Sequence, residues 1–172
     1  MTVYVAFLRA VNVGGYGKLK MRDLAELAEN CGFGSVKTYI QSGNVALTSP
    51  RSAQAVRSAL ETSLKHFTGA HVPVFVRTLE ELQGVLTACP FKDVAGNRVG
   101  IVFAESVDPS VVEMLGASDE EVVFGSGAVF IHYPNGMGKS RLKLKGLSSE
   151  TMRNRNTVEK LAALADDLGR QP

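Results

Sequence analysis

Residues 36–48 read VKTYIQSGNVALT, and this stretch decides the fold of the first half of the chain. Val36–Ile40 and Val45–Thr48 are rich in β-branched and aromatic residues, which predicts two short strands. Gln41–Asn44 lies between them and contains the Ser-Gly pair that is typical of a tight turn. The stretch is therefore predicted to be an antiparallel hairpin.

A strand and a helix are predicted on each side of this hairpin. Val3–Leu8 is a buried strand by its apolar run, and apolar residues from Met21 to Cys31 recur at helical spacing. Ser52–Phe67 is a second amphipathic helix, and Val72–Val76 is a further strand. The order strand–helix–strand–strand–helix–strand is that of the split βαβ, or ferredoxin-like, arrangement.

The second half repeats part of this order. Val99–Ala104, Val122–Phe124 and Val129–Tyr133 are predicted strands, Asp108-Pro109 opens a short helix that includes Val112 and Leu115, and a last helix begins near Asn156. We therefore predict an α+β protein of two ferredoxin-like halves, 1–90 and 91–172, packed closely as one compact unit. Its sheets are expected to be mixed or antiparallel, with helices on one face.

Composition excludes several classes of protein. The 172 residues carry a net charge of only +2 and are 45% hydrophobic, which is typical of a globular domain and excludes a strongly cationic binder. The sequence shows no secretory signal and no apolar run near the roughly 20 residues that span a bilayer, so we expect a cytoplasmic protein without a membrane partner. Cys31 and Cys89 form no C-x-x-C pair, and the histidines are not at zinc spacings. We expect no metal and no cofactor.

Arg9, Asn12, Gly14 and Gly15 form the first of three polar clusters that break the apolar pattern. Arg9 continues an apolar strand, and because a buried guanidinium is costly unless paired, it should leave the sheet or meet an anion. The glycines allow backbone N–H groups to approach a ligand. The alternative is a strand end beside a plain loop, with Arg9 paired to a carboxylate of the same chain.

The second cluster comprises Tyr39, Gln41, Ser42 and Asn44. Its side chains could orient a ligand by hydrogen bonds. The alternative is that Ser42, Gly43 and Asn44 only satisfy the geometry of the hairpin turn.

The third cluster comprises Arg153, Asn154, Asn156 and Thr157, which we expect at the N-terminus of the last helix. Unpaired N–H groups and the helix dipole favour an anion there. The alternative is that Asn156 and Glu159 cap the helix while the arginines are solvated.

Lys139, Arg141, Lys143 and Lys145 lie just upstream and could follow a phosphate backbone as accessory basic residues. Basic alternation also protects an exposed edge strand from aggregation. The region 135–160 has a net charge of +5 and the region 101–124 a net charge of −6, so the small total conceals a dipolar second half.

The three clusters together resemble a bacterial family known as domain of unknown function 1697. The matching stretches are FLRAVNVGG (7–15), TYIQSGN (38–44) and TMRNRNT (151–157). The family commonly has Arg-Gly-Ile-Asn where this chain has Arg9–Asn12, and an aromatic residue where it has Arg155, which would make this site more basic. The resemblance implies an α+β fold of ferredoxin-like halves and no established activity.

The hypothesis that follows is a site where the three clusters converge to bind an anionic ligand, either a nucleotide or a nucleic-acid segment. A first alternative is a transferase or hydrolase for a phosphorylated small molecule, with Tyr39 or Ser42 transferring a proton. A second is a structural or interaction module whose motifs only form turns and caps. No catalytic residue is assigned, and the sequence does not decide the oligomeric state.

Overall fold

The structure, a computed structural model, describes residues 1–12, 18–147 and 149–170. It is an α+β fold with antiparallel sheets, in agreement with the predicted class. The chain divides into two compact units. The first comprises Met1–Leu82 with Lys160–Pro172, and the second comprises Gln83–Glu159.

The first unit contains the element order predicted for the first half of the chain. Its elements are β1 (Thr2–Leu8), α1 (Met21–Asn30), β2 (Gly34–Thr38), β3 (Asn44–Ser49), α2 (Ala53–Thr68) and β4 (Val74–Thr78), and α3 (Leu79–Ala88) follows directly. The strands form one antiparallel sheet in the order β2-β3-β1-β4.

Local capping explains where the helices of the first unit begin. Ser52 accepts a hydrogen bond from the Ala55 N–H at the start of α2. Thr78 and Glu81 form a reciprocal capping box before α3, with distances of 2.8 and 3.1 Å between side-chain oxygens and backbone nitrogens. Helix α2 therefore begins where the sequence predicts, and the capping box explains why α3 begins directly after β4.

The core of the first unit lies between one face of its sheet and the apolar stripes of α1 and α2. Leu24 and Ala28 of α1, and Val56, Leu60 and Leu64 of α2, are completely buried in it. Since each helical turn delivers one or two apolar side chains to the same face, two helices suffice to cover this sheet.

The second unit has the same strand order with different connections. Its elements are a 3-10 helix (Gly96–Arg98), β5 (Val99–Ala104), a 3-10 helix (Pro109–Val111), β6 (Glu113–Leu115), β7 (Glu121–Phe124), β8 (Ala128–His132), a 3-10 helix (Met137–Lys139), β9 (Lys143–Lys145), β10 (Glu150–Asn154) and the start of α4 (Arg155–Gly169). Four strands form an antiparallel sheet in the order β10-β5-β8-β7.

A two-stranded ribbon occupies the connections that are helices in the first unit. β6 follows β5, β9 follows β8, and the two pair antiparallel with Glu113 opposite Lys145 and Leu115 opposite Lys143. Leu142, Leu144 and Leu147 pack against Val102 and Ile131 of the main sheet. The ribbon β6–β9 therefore covers one face of the second sheet.

The short helix predicted to open at Asp108-Pro109 is a single 3-10 turn, Pro109–Val111, and its predicted extension to Val112 and Leu115 is wrong. The carboxylate of Asp108 caps a single 3-10 turn by accepting from the Ser110 N–H at 2.9 Å, and the chain then becomes β6. The β-branched Val111 and Val112 disfavour helix, and pairing with β9 supplies hydrogen bonds that a helix of this length would not complete.

The last helix begins near Asn156 as predicted, but residues 150–154 directly before it form a strand that the sequence did not predict. The α4 helix begins at Arg155, and Asn154 caps it by accepting from the Thr157 N–H at 2.9 Å. The strand was not predicted because its inward residues are Thr151 and Arg153 rather than apolar side chains.

Candidate functional site

Arg9 leaves the sheet at the end of β1. Its backbone N–H donates to the carbonyl of Pro73 at 2.9 Å, and its side chain is exposed. Within residues 1–12, 18–147 and 149–170, its guanidinium has no ion-pair or hydrogen-bond partner. The sequence predicted that Arg9 would either leave the sheet or meet an anion, because burying an unpaired arginine is costly. In the structure its side chain leaves the sheet and is exposed.

Asn12 closes the base of the segment that carries the predicted glycines. Its amide nitrogen donates to the carbonyls of Leu19 at 2.9 Å and Gln41 at 2.8 Å, and its amide oxygen accepts from the Leu19 N–H at 2.9 Å. Asn12 adopts a left-handed φ of 58°, which asparagine tolerates better than most residues. Gly14 and Gly15 lie outside the described residues.

The 39–44 turn is held by Asn44, which is completely buried. Its amide donates to the carbonyl of Tyr39 and to the hydroxyl of Ser42, both at 2.9 Å, and the Tyr39 N–H donates to the Asn44 carbonyl at 3.0 Å. Ile40 is exposed and has a φ of 49°, which is an unfavourable value for a β-branched residue. The side chain of Gln41 is exposed.

The first two clusters meet within the first unit. The Leu8 N–H donates to the carbonyl of Gly43 at 2.8 Å, which adds to the bond between Asn12 and Gln41. Gly43 has a φ of 79°, and a Cβ there would overlap Val11 and lie 3.0 Å from the Cβ of Leu8. Only glycine fits this approach without strain.

A cavity of about 360 Å³ adjoins Arg9 in the first unit. Arg9, His71 and Thr68 supply its polar groups, and Ala10, Val11 and Val72 supply apolar surface. The described residues that line it include no acidic side chain. The cavity therefore presents the guanidinium of Arg9 and the imidazole of His71 without a competing carboxylate among its described lining residues.

The third cluster lies at the junction of β10 and α4 rather than at the start of a helix alone. Arg153 lies on β10, where it pairs with Ile101 of β5, and it is only 8% exposed. Its guanidinium donates to the Thr151 hydroxyl and to the Met152 carbonyl, both at 2.9 Å. Burial lowers the pKa of Arg153 to about 10, which still leaves the guanidinium charged at neutral pH.

The neighbouring residues of this cluster serve the local fold. Arg155, which we expected to make the site more basic, donates to the carbonyls of Phe91 and Val94, and its Nε lies 3.1 Å from Glu159 Oε1. Thr157 is buried, and Asn156 is exposed and lies against Gly96. The charge of Arg155 is therefore matched within its own unit.

The accessory basic residues do not share one strand. Lys143 and Lys145 lie on β9, whereas Lys139 belongs to a 3-10 helix and Arg141 to the segment between them. Lys145 Nζ is 3.8 Å from Glu113 Oε2, across the ribbon. The predicted spacing along a strand therefore applies only to Lys143 and Lys145.

Sequence reasoning missed a polar cavity of about 410 Å³ in the second unit. Asp119 accepts a hydrogen bond from Asn135, and Glu120 accepts from the Ser140 hydroxyl and from the Ser118 N–H. These bonds, the one from Ser140 above all, hold the pKa of Glu120 below its ordinary value. Because Asn135 and Ser140 are 16 and 20 positions from the carboxylates they contact, no local sequence motif predicts the cavity.

Tyr133 lines this polar cavity and also a second, more apolar cavity of about 480 Å³ beneath the ribbon. Its hydroxyl lies 3.4 Å from the Met152 sulfur. Burial, with a smaller effect of Glu120, raises the pKa of Tyr133 to about 12. Tyr133 therefore contributes an uncharged hydroxyl and an aromatic ring to the lining of both cavities.

The described residues contain no group of three or more His, Cys, Asp or Glu side chains placed to hold a metal ion. In the same part of the chain, no helix combines the length and the apolar character needed to cross a membrane.

Fold and site together define a class: an α+β protein with two four-stranded antiparallel sheets of matching strand order, and signature motifs at loop–strand junctions. The chain belongs to the family described as protein of unknown function (DUF1697), whose model matches residues 1–130. The resemblance drawn from the three motifs is thereby confirmed.

A solved structure supports the same architecture. The chain is similar to the conserved bacterial protein SP0830 from Streptococcus pneumoniae, with a TM-score of 0.76 and 26% sequence identity. The match covers 95% of this chain and 98% of that protein's chain. A search of curated proteins found no match.

Proposed function

We propose that the first unit binds a small phosphate-bearing anion, such as a nucleotide, beside Arg9. The observation that carries the proposal is the cavity at Arg9, which contains a guanidinium without a described partner, the imidazole of His71 and no described acidic side chain. Arginine is the side chain best suited to bind phosphate or carboxylate oxygens through two N–H groups.

The dimensions favour a small molecule over a nucleic-acid strand. A volume of about 360 Å³ falls within the range of about 300–1,000 Å³ that is typical of small-ligand pockets. A strand would instead call for an extended basic groove with stacking platforms. We therefore favour the nucleotide over the nucleic-acid segment as the occupant.

The motifs would contribute in two ways. Asn12 and Asn44 hold the loop and the turn, because their amides are bonded to backbone or to Ser42. Gln41 and the backbone of Gly14 and Gly15 would contact the ligand. The third motif belongs to the second unit, and this proposal does not require it.

A structural role is the second candidate, and one observation favours it. All hydrogen bonds described for the side chain of Asn12 go to backbone groups of the same unit. If the motifs only stabilise loops, anions will not bind at Arg9. The enzymatic alternative with Tyr39 or Ser42 stays a prediction.

The test is calorimetric titration with inorganic pyrophosphate and with ATP, using the intact chain. Arg9→Ala should weaken binding roughly ten- to a hundredfold, since a hydrogen bond to a charged group contributes about 1.5–3 kcal/mol. Arg22→Ala is the matched control, because it removes the same charge from an exposed site on α1.

Three results would contradict the proposal. Equal weakening by both variants would indicate only general attraction to positive charge. Absence of binding by any anion would leave the structural candidate ahead. Tighter binding of a single-stranded oligonucleotide than of ATP, with an affinity that falls steeply as salt rises, would indicate that the ligand is a nucleic-acid segment rather than a nucleotide.

Two finer statements about the molecule accompany this proposal. The strand order β2-β3-β1-β4, with α1 and α2 as its crossovers, supports a ferredoxin-like first half, and β10-β5-β8-β7 supports a related second half. The free thiols of Cys31 and Cys89 support a reducing, cytoplasmic location.

A further inference from the structure

The second unit contains a feature that the anion site of the first unit does not use, namely the cavity beneath the ribbon β6–β9. Its volume is about 480 Å³. Val102 and Ile131 line it from the main sheet, and Leu142, Leu144 and Leu147 line it from β9 and the segments beside β9. Its interior is therefore aliphatic over most of its surface.

The cavity communicates with solvent through apolar side chains. Leu115 of β6 is 40% exposed and Met152 of β10 is 36% exposed, and both line the cavity. Solvent-facing apolar groups at the mouth of an apolar cavity are unfavourable in water, and a ligand that covers them would gain the free energy of their burial.

Charge at the rim indicates the polar end of such a ligand. Lys143 and Lys145 line the cavity together with one acid, Glu150. Lys145 has Glu113 at 3.8 Å, whereas Lys143 is exposed and has no ion-pair partner among the described residues. Glu150 is likewise without an ion-pair partner among the described residues, so it is the lining as a whole, two lysines against one acid, that has a net charge of +1.

We propose that the second unit binds an amphipathic carboxylate, with its alkyl chain beneath the ribbon and its carboxylate at Lys143. A cavity of this size, mostly apolar and with few polar groups at one end, has the form of a small-ligand site whose polar groups set the orientation. The ligand class follows from this combination of aliphatic interior and cationic rim.

The experiment compares three probes with the same alkyl chain and different heads: decanoate, decanol and decylamine, each titrated below its micelle-forming concentration. Decanoate should bind most tightly and decylamine most weakly in calorimetry. Tighter binding of decylamine would overturn the proposal, because Glu150 rather than Lys143 would then direct the head group. Failure of all three probes to bind would also overturn it.

Charge variants test the head-group contact. Lys143→Gln should weaken decanoate about three- to tenfold and leave decanol unchanged, while Glu150→Gln should strengthen decanoate. Lys37→Gln, which removes an exposed lysine from β2 of the first unit, is the matched control and should change neither. A fall in decanol affinity equal to that of decanoate would contradict the assignment of Lys143.

A filling variant tests the alkyl site. Leu115→Trp places a large side chain at the mouth and should abolish binding of decanoate and decanol alike. Val123→Trp is the matched control, since Val123 is 39% exposed on β7 and does not line the cavity. Equal loss in both variants, or no loss in Leu115→Trp, would overturn the proposal.

A measurement on the unmodified protein guards against a variant that fails to fold. Methyl NMR spectra should show decanoate shifting the signals of Leu144, Leu147 and Val102, with those of Leu24 and Leu60 in the first unit unmoved. Shifts confined to other residues would place the ligand elsewhere and contradict the inference.

Discussion

The two units share one strand order and differ in what covers the sheet. In the first unit, α1 and α2 place a continuous set of fully buried side chains against β1, β3 and β4. In the second unit, the ribbon of β6 and β9 occupies the corresponding connections, and most of its residues are exposed. Both sheets have the same strand order, but the connections that cover the first are helices, whereas those that cover the second form a short ribbon.

The difference follows from the geometry of the covering elements. A ten-residue helix returns to the same face at every turn, so α1 buries Leu24 and Ala28 and keeps its charged residues outside. A three-residue strand turns only one or two side chains toward the sheet, as Leu144 does on β9. The cavities of the second unit are a consequence of this sparse cover.

The largest expected effect is loss of packing under the helices. Leu60→Ala removes a completely buried side chain from α2 and should lower the free energy of unfolding by about 2–5 kcal/mol. Leu144→Ala in the ribbon should cost only about 1–2 kcal/mol, because Leu144 is half-buried beside an existing cavity. Urea unfolding followed by circular dichroism measures both losses of free energy. Equal losses would show that the ribbon packs on its sheet as densely as the helices do on theirs.

The next effect concerns tight turns in each unit. Gly43→Ala should lower the free energy of unfolding by about 2–4 kcal/mol, because a left-handed φ and overlap with Val11 both oppose a Cβ. Gly127→Ala has nearly the same φ, 80°, with nothing within 4 Å of the added Cβ, and should lose only about 1 kcal/mol. A smaller loss at Gly43 than at Gly127 would contradict the close approach of the first two motifs.

A smaller difference separates the asparagines that hold a junction in each unit. Asn12→Ala removes three hydrogen bonds to backbone and should cost about 2–3 kcal/mol. Asn154→Ala removes one helix cap and should cost about 1 kcal/mol. Thermal unfolding ranks the two variants, and a larger loss at Asn154 would show that the loop base is not held by Asn12.

The smallest effect tests whether the ribbon keeps water away from its interior. Because desolvation raises the pKa of Tyr133 from 10.0 to about 12, its stabilising contribution is complete below pH 10 and is lost as pH rises through about 12. Tyr133→Phe should cost less than about 1 kcal/mol at neutral pH and should lack this alkaline loss. Urea unfolding between pH 9 and 12, together with tyrosinate absorbance, measures it, and identical pH profiles would contradict the burial.

How far the sequence predicts the molecule depends on the same difference between the units. In the first unit, periodicity, the Ser52 cap and the Thr78–Glu81 box are local signals, and the elements lie where they indicate. In the second unit, β6 pairs with β9 about 30 residues away, and β10 buries Thr151 and Arg153. Strands that are short, distant in sequence or polar on their buried face leave no periodic pattern.

The sequence predicts the residues of the candidate site but not how they come together. The three motifs identify the polar clusters by residue type, and the bond from Asn12 to Gln41 joins the first two of them. That bond spans 29 positions, and no local rule selects it over the other groups each amide could reach. The cavity at Arg9 owes its shape to Thr68, His71 and Val72, which belong to a distant part of the sequence.

The division of the chain also bears on the order in which the protein is made. The second unit is continuous in sequence, whereas the first combines Met1–Leu82 with Lys160–Pro172. During synthesis the first sheet and both its helices leave the ribosome early, but the last part of α4 emerges only after the whole second unit. We therefore expect the sheet, α1 and α2 of the first unit to form first on the ribosome, because their core is complete by Val76, and the last part of α4 to join that unit only after the second unit has emerged.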